Sequence, residues 1–318
     1  MPECVPHAAG RKVPGDEGRG VDGGPPFGTT STHILCESLG AALRIVARGR
    51  EGAVENRVRK VIDDGGLAIG GLTGSFTDPT IVELIALAGC DAALIDLEHH
   101  PFDLRDVQTL VVTARSVGIT PIVRIPSLDV PLILRLLDVG TECIQLDGIR
   151  TADEARALVD AMKFPPLGSR GLIWNSRAAN YRRVDKKTYA ETANREVLVK
   201  ISIDSQEGLD NVEHIAAVDG VDIIGVGAHD LSMVLDVVGQ PDHPRLVAAI
   251  DRVIAAVTAD GGRRLALPLG SSAYPRTPAE LIARGAVYTN LSPHPEERLL
   301  RALSEQAGAI RSAVDATP

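Results

Sequence analysis

The chain has 318 residues, 44% of them apolar, a formal net charge of −9 and an aromatic content of 3%. Such a chain can bury a full core, but it lacks the basic stripes and stacking rings that a nucleic-acid surface needs. No run of about 18 apolar residues offers a membrane span, and the N-terminus lacks the continuous apolar core of a signal peptide. The four cysteines, Cys4, Cys36, Cys90 and Cys143, show no metal-ligand spacing. Scattered thiols fit a reducing compartment, so the expected location is the cytoplasm.

Residues 1–35 are rich in Gly, Pro and charge, with punctuation such as Asp22-Gly23-Gly24-Pro25-Pro26. They are expected to be mobile. The spacing of Leu39, Leu43, Val46, Val54, Val58 and Ile62 predicts helical pieces from about 36 to 63. The expectation is therefore a largely disordered N-terminal extension with some helix over 1–52, followed by one folded domain over 53–318.

From there short apolar runs alternate with amphipathic stretches. Strands are predicted at 67–72, 92–96, 121–124, 143–146, 197–203, 222–226, 264–268 and 287–290, with helices between them at 79–88, 104–117, 130–139, 152–162, 208–218 and 245–260. Buried apolar strands alternating with helices require a parallel sheet. Eight such units in one domain predict an α/β fold closed as a (β/α)8 barrel of the TIM type. An open dinucleotide-binding sheet is disfavoured, because Gly70-Gly71-Leu72-Thr73-Gly74 lacks the GxGxxG spacing.

In such a barrel, chemistry gathers at the C-terminal strand ends. After the second strand come Asp96, Glu98 and His99; after the third, Arg124; after the fifth, Asp204; after the sixth, Asp230. The acidic residues can cap the next helix or hold a divalent ion through hard oxygens. Arg124 can pair with a neighbouring strand or fork onto a substrate carboxylate. Gly225 and Gly227 would let backbone N–H groups approach a bound anion.

The motifs Ile95-Asp96-x-Glu98-His99, Val123-Arg124-Ile125-Pro126, Leu136-Leu137-Asp138-x-Gly140, Pro165-Pro166-Leu167-Gly168-x-Arg170-Gly171 and Gly227-x-x-Asp230-Leu231-Ser232 occur in one register. On these motifs the chain, from about 53 to 305, resembles the HpcH/HpaI family of class II, metal-dependent pyruvate aldolases. The resemblance implies a catalytic base at His99, a carboxylate that orients it at Asp138, and a keto-acid-binding arginine at Arg124. It implies metal ligands at Asp204 and Asp230, with Asp96 and Glu98 around the waters on the metal. Ser202, Gly227 and His229 would join Arg124 in contacting substrate. The implied cofactor is a divalent metal ion (Mg²⁺, Mn²⁺ or Co²⁺). The implied partners are a small 2-oxo acid, an aldehyde and further copies of the chain, a hexamer being usual in the family. The implied reaction makes or breaks a C–C bond beside a pyruvate enolate, with a 4-hydroxy-2-oxo acid as substrate. A related lyase or synthase acting on an acyl-CoA or oxo acid, and a degenerate barrel that only binds keto acids, are the alternatives.

Four positions, and the Asn290-Leu291-Ser292-Pro293-His294 segment ending the last strand, depart from the family pattern. Asp204 stands where glutamate is usual, Ser202 where glutamine is, His229 where a small residue is, and Asp147 where proline is common. Aspartate is one methylene shorter than glutamate, so an ion would have to shift by about 1.5 Å or be reached through water. Lys200 lies on the fifth strand, but its context does not match a Schiff-base lysine.

Overall fold

The computed structural model describes residues 55–317 apart from 260 and 263. The expected N-terminal extension, with its disorder and its helical pieces before residue 55, lies outside these residues, as do Cys4 and Cys36. Cys90 and Cys143 are free and buried.

All eight expected strands form: β1 Ala68–Leu72, β2 Ala92–Asp96, β3 Thr120–Ile125, β4 Cys143–Leu146, β5 Leu198–Ile203, β6 Ile223–Val226, β7 Leu265–Ala266 and β8 Ala286–Asn290. They pair in sequence order, every pair parallel, and β8 closes onto β1, as expected for a (β/α)8 barrel. The weakest stave is β7, which keeps only two residues and shifts register against β8.

Alternation along each strand separates two cores. Ala92, Leu94, Ile122, Cys143, Leu198, Ile223 and Tyr288 point into the barrel, while Ile95, Val123, Ile144, Ile201 and Ile224 face outward to the helices. Each fully buried Leu or Ile contributes roughly 1.5–3 kcal/mol. The sheet is covered in turn by α1 Arg57–Asp63, α2 Thr80–Leu87, α3 Leu104–Ser116, α4 Val130–Val139, α5 Ala152–Met162, α6 Lys186–Glu196, α7 Gln206–Asp210, α8 Val212–Ala216, α9 Ala228–Val234, α10 Pro244–Thr258, α11 Pro278–Ala283 and α12 Pro295–Asp315. Among the described residues no helix is long and apolar enough to cross a membrane.

Helix α1 closes the N-terminal end of the barrel. Its Val58 is fully buried in the interior cluster, and the amide of its N-cap Asn56 donates to the carbonyls of Glu142 and Glu196 at 3.0 and 2.9 Å. The expected helix over 208–218 forms instead as α7 and α8, which break at Asn211. Gly208 lies so close to the next loop that a Cβ there would sit 2.5 Å from the Ile149 carbonyl oxygen. With that end plugged, chemistry is confined to the opposite mouth.

Candidate active site

Asp96 ends β2 and pairs in register with Arg124 of β3. Arg124 donates to it through Nε at 3.0 Å and through Nη2, a side-on fork. The Asp96 Oδ1 also accepts the backbone N–H groups of Glu98 and His99 at 2.9 and 3.2 Å. Burial raises the Asp96 pKa, but the Arg124 hydrogen bonds and charge outweigh it, and the carboxyl lies below its usual range. The resemblance put Asp96 near waters on a metal. Here it clamps Arg124 and ties down its own loop.

The third arm of Arg124 reaches Asp147, with Nη1 donating at 3.1 Å. Burial works against the guanidinium charge, yet Asp96 and Asp147 hold its pKa above the ordinary value. Glu98 sits 3.5 Å from both Arg124 Nε and His99 Nε2. Burial, then repulsion from Asp147, raises its pKa. The side chain of His99 is 63% exposed at the rim. Its neighbour His100 is mostly enclosed, 3.9 Å from Asp96 Oδ2, and its buried Nε2 has no hydrogen-bond partner.

Across the mouth, the helix-capping reading of Asp204 and Asp230 fails. The cap of α7 is Ser205, whose Oγ accepts the Gly208 N–H at 3.1 Å. Asp230 lies in the first turn of α9, whose N-cap Gly227 carries no side-chain cap bond. Among the described residues Asp204 accepts only the Gly148 N–H, at 2.8 Å. Burial, followed by the charges of Asp147, Asp230 and Glu98, pushes its pKa up to about 6. Both residues lie against Gly227, which leaves no room for a side chain: a Cβ there would sit 2.5 Å from Asp204 Cβ and 3.5 Å from Asp230 Oδ2. Among the described residues no three His, Cys, Asp or Glu side chains form a ready-made ligand set. A pair of hard carboxylates still fits an ion such as Mg²⁺, which takes one or two from protein and completes its shell from substrate and water.

Gly227 thus serves by its size. Its N–H donates to the Ile203 carbonyl at 2.9 Å and so is not free for the anion contact expected of it. Ser202 is buried beside Gly225, its partner in register. His229 is exposed, with Nε2 3.2 Å from Ser271 Oγ after β7.

Asp138 is not brought to His99. It lies in the last turn of α4, which runs back towards the N-terminal strand ends: two residues on, Gly140 ends the helix, and the Glu142 N–H bonds the Pro121 carbonyl at the start of β3. His99 follows the C-terminal end of β2. Within one chain the barrel therefore separates them, and Asp138 pairs with Arg170, Oδ1 to Nη2 at 3.4 Å. It also lines a flank cavity of ≈ 410 Å³ with Gln108, Ser176 and Tyr181.

A polar chain inside the barrel was not read from sequence. Lys200 donates to Gln145 Oε1 at 2.6 Å, and Gln145 Nε2 reaches both oxygens of Asp147 at 2.9 and 3.0 Å. Lys200 also stacks over the Tyr288 ring at 4.3 Å. The signal was available: Cys143, Gln145 and Asp147 alternate along one strand, so all three face inward.

The fold is that of a (β/α)8-barrel enzyme, with its polar residues gathered at the C-terminal mouth. The family model for HpcH/HpaI aldolase/citrate lyase matches residues 74–272. A 2-dehydro-3,6-dideoxy-6-sulfogluconate aldolase of Pseudomonas putida is 37% identical over 188 residues, 59% of this chain and 71% of that protein. A 4-hydroxy-2-oxo-heptane-1,7-dioate aldolase of Escherichia coli is 34% identical over 269 residues, 82% of this chain and 100% of that protein. The crystal structure of an HpcH/HpaI aldolase/citrate lyase family protein from Burkholderia cenocepacia superposes with a TM-score of 0.71 at 32% identity, covering 80% of this chain and 99% of that one. The chain belongs to the HpcH/HpaI aldolase/citrate lyase family, and that membership makes it a carbon–carbon lyase.

Proposed function

We propose that the protein is a divalent-metal-dependent aldolase that makes or breaks a C–C bond beside the enolate of pyruvate, with a 4-hydroxy-2-oxo acid as substrate and an aldehyde as partner. The observation that carries this reading is the Asp204 and Asp230 pair: two carboxylates without a capping role, both lying against Gly227, with the charge of Asp230 acting on Asp204. They are the residues that would hold Mg²⁺, Mn²⁺ or Co²⁺, and the ion when bound supplies Lewis-acid polarisation of the keto acid.

The remaining work falls to the chain's own side chains. Arg124 has Nε, one Nη2 and one Nη1 hydrogen committed to Asp96 and Asp147, which leaves one N–H on each terminal nitrogen for a substrate oxygen. Fixed in this way, it holds positive charge where the enolate develops and needs no reorganisation. His99 takes and returns the proton at the rim, with Glu98 alongside. Asp138 can orient His99 only from a second copy of the chain, which supports the homo-oligomer reading.

The reading is tested by incubating the protein with pyruvate in heavy water and following methyl-proton loss by NMR, with and without each metal. Metal-dependent exchange abolished by His99→Ala supports it. A well-folded protein that exchanges no protons with any metal excludes it.

A further inference from the structure

The interior of a (β/α)8 barrel is ordinarily filled by layers of branched apolar side chains. Here one layer carries Lys200 and Gln145 beneath the mouth, both about 5% exposed or less. Burial pulls the Lys200 pKa down to about 8, so the charge is held there against a desolvation cost. What the lysine supports is visible in the hydrogen bonds. Its Nζ fixes the Gln145 amide, which then presents Nε2 to both Asp147 oxygens, while Arg124 Nη1 holds one of them from the side. Three groups on three strands thus immobilise one carboxylate.

That carboxylate adds to an already acidic mouth. Asp96, Glu98 and Asp147 surround the Arg124 guanidinium, and the charge of Asp147 is felt by both Glu98 and Asp204, which in turn feels Asp230. Even with a divalent ion between Asp204 and Asp230 the region stays net negative. For a substrate whose far end brings a second carboxylate into this field, a like charge would discriminate by roughly ten-fold or more.

We infer that Asp147, held rigid by Gln145 and Lys200, is a specificity-determining residue that selects against substrates with a second carboxylate beyond the keto acid and in favour of uncharged or hydroxylated ones. The inference rests on the aldolase reading for the place of the keto acid. A purely structural Asp147, serving only to position Arg124, would weaken all keto acids alike.

The test compares 2-oxoglutarate with 2-oxopentanoate, which match in chain length and lack the 4-hydroxyl that cleavage needs, so binding is read without turnover. Calorimetry in the presence of Mg²⁺ gives the two Kd values for the wild type and for Asp147→Asn. The wild type is expected to favour 2-oxopentanoate by roughly ten-fold or more, and the variant to lose most of that preference. Raising the salt concentration should narrow the wild-type preference without any mutation. An identical Kd ratio in the two proteins, or a wild type that prefers 2-oxoglutarate, overturns the assignment. Pyruvate proton exchange, measured on the same samples, keeps the two readings apart. Exchange with an unchanged ratio removes only the role of Asp147, whereas absent exchange removes the aldolase reading.

Discussion

His99 and Asp138 stand at opposite ends of one barrel, His99 beyond the C-terminal end of β2 and Asp138 in the turn of α4 that returns to the N-terminal strand ends. A strand of five residues spans roughly 17 Å, so no side-chain rotation joins them. If they act as a pair, each site must be built from two subunits. His99→Ala and Asp138→Ala should then each lose most activity, and mixing them under conditions of subunit exchange should restore about a quarter of the sites, those with both residues intact. Mixtures that stay as inactive as the parents rule out a shared site.

The space at Gly227 makes a second prediction. Gly227→Ala drives a Cβ against Asp204 and displaces one carboxylate of the pair. Mn²⁺ affinity measured by calorimetry should fall roughly ten-fold or more, as it does when the support of a ligand is disturbed. Thermal unfolding of the metal-free protein should move far less. Unchanged Mn²⁺ affinity would remove Asp204 from the metal site.

The buried lysine gives a pH dependence with a definite sign. In the fold Lys200 releases its proton near pH 8, whereas in the unfolded chain it holds it to about 10.5. Between these values the unfolded state binds more protons, so the contribution of Lys200 to stability rises with pH across that window and is least favourable below pH 8. Lys200→Met removes this dependence, which amounts to about 3 kcal/mol. The Tm of the variant relative to wild type should therefore be highest near pH 7 and decline by pH 10. A constant difference would show that the lysine is not titrating in the barrel.

Much of this fold was legible because parallel strands buried on both faces read as continuous apolar runs, and all eight appear where such runs occur. The misses have physical reasons. Helix α6 carries a polar sequence without a clear apolar stripe; α12 does carry one, Leu299, Leu303, Ile310 and Val314, but buries none of its residues. At the site, Arg124, Asp204 and Asp230 were readable from strand ends alone. Asp96 could also be read as a strand end, but its bidentate hold on Arg124 depends on the register of β2 against β3, which one strand does not reveal. Asp138 came from a motif, and motif order carries no information about which end of a barrel a helix terminus occupies. Gln145 and Asp147 alternate along one segment, but Lys200 lies on the next strand, and only the register of β5 against β4 sets it beside Gln145.

The most direct measurement is the loss of pyruvate methyl protons in heavy water. The wild type should exchange them with Mg²⁺, Mn²⁺ or Co²⁺ and not after chelation, and both His99→Ala and Asp204→Asn should reduce the rate by at least roughly 10²-fold. Exchange that persists at full rate after chelation or in His99→Ala, or its absence from folded wild type with every metal, would contradict a metal-assisted enolate site at this barrel mouth.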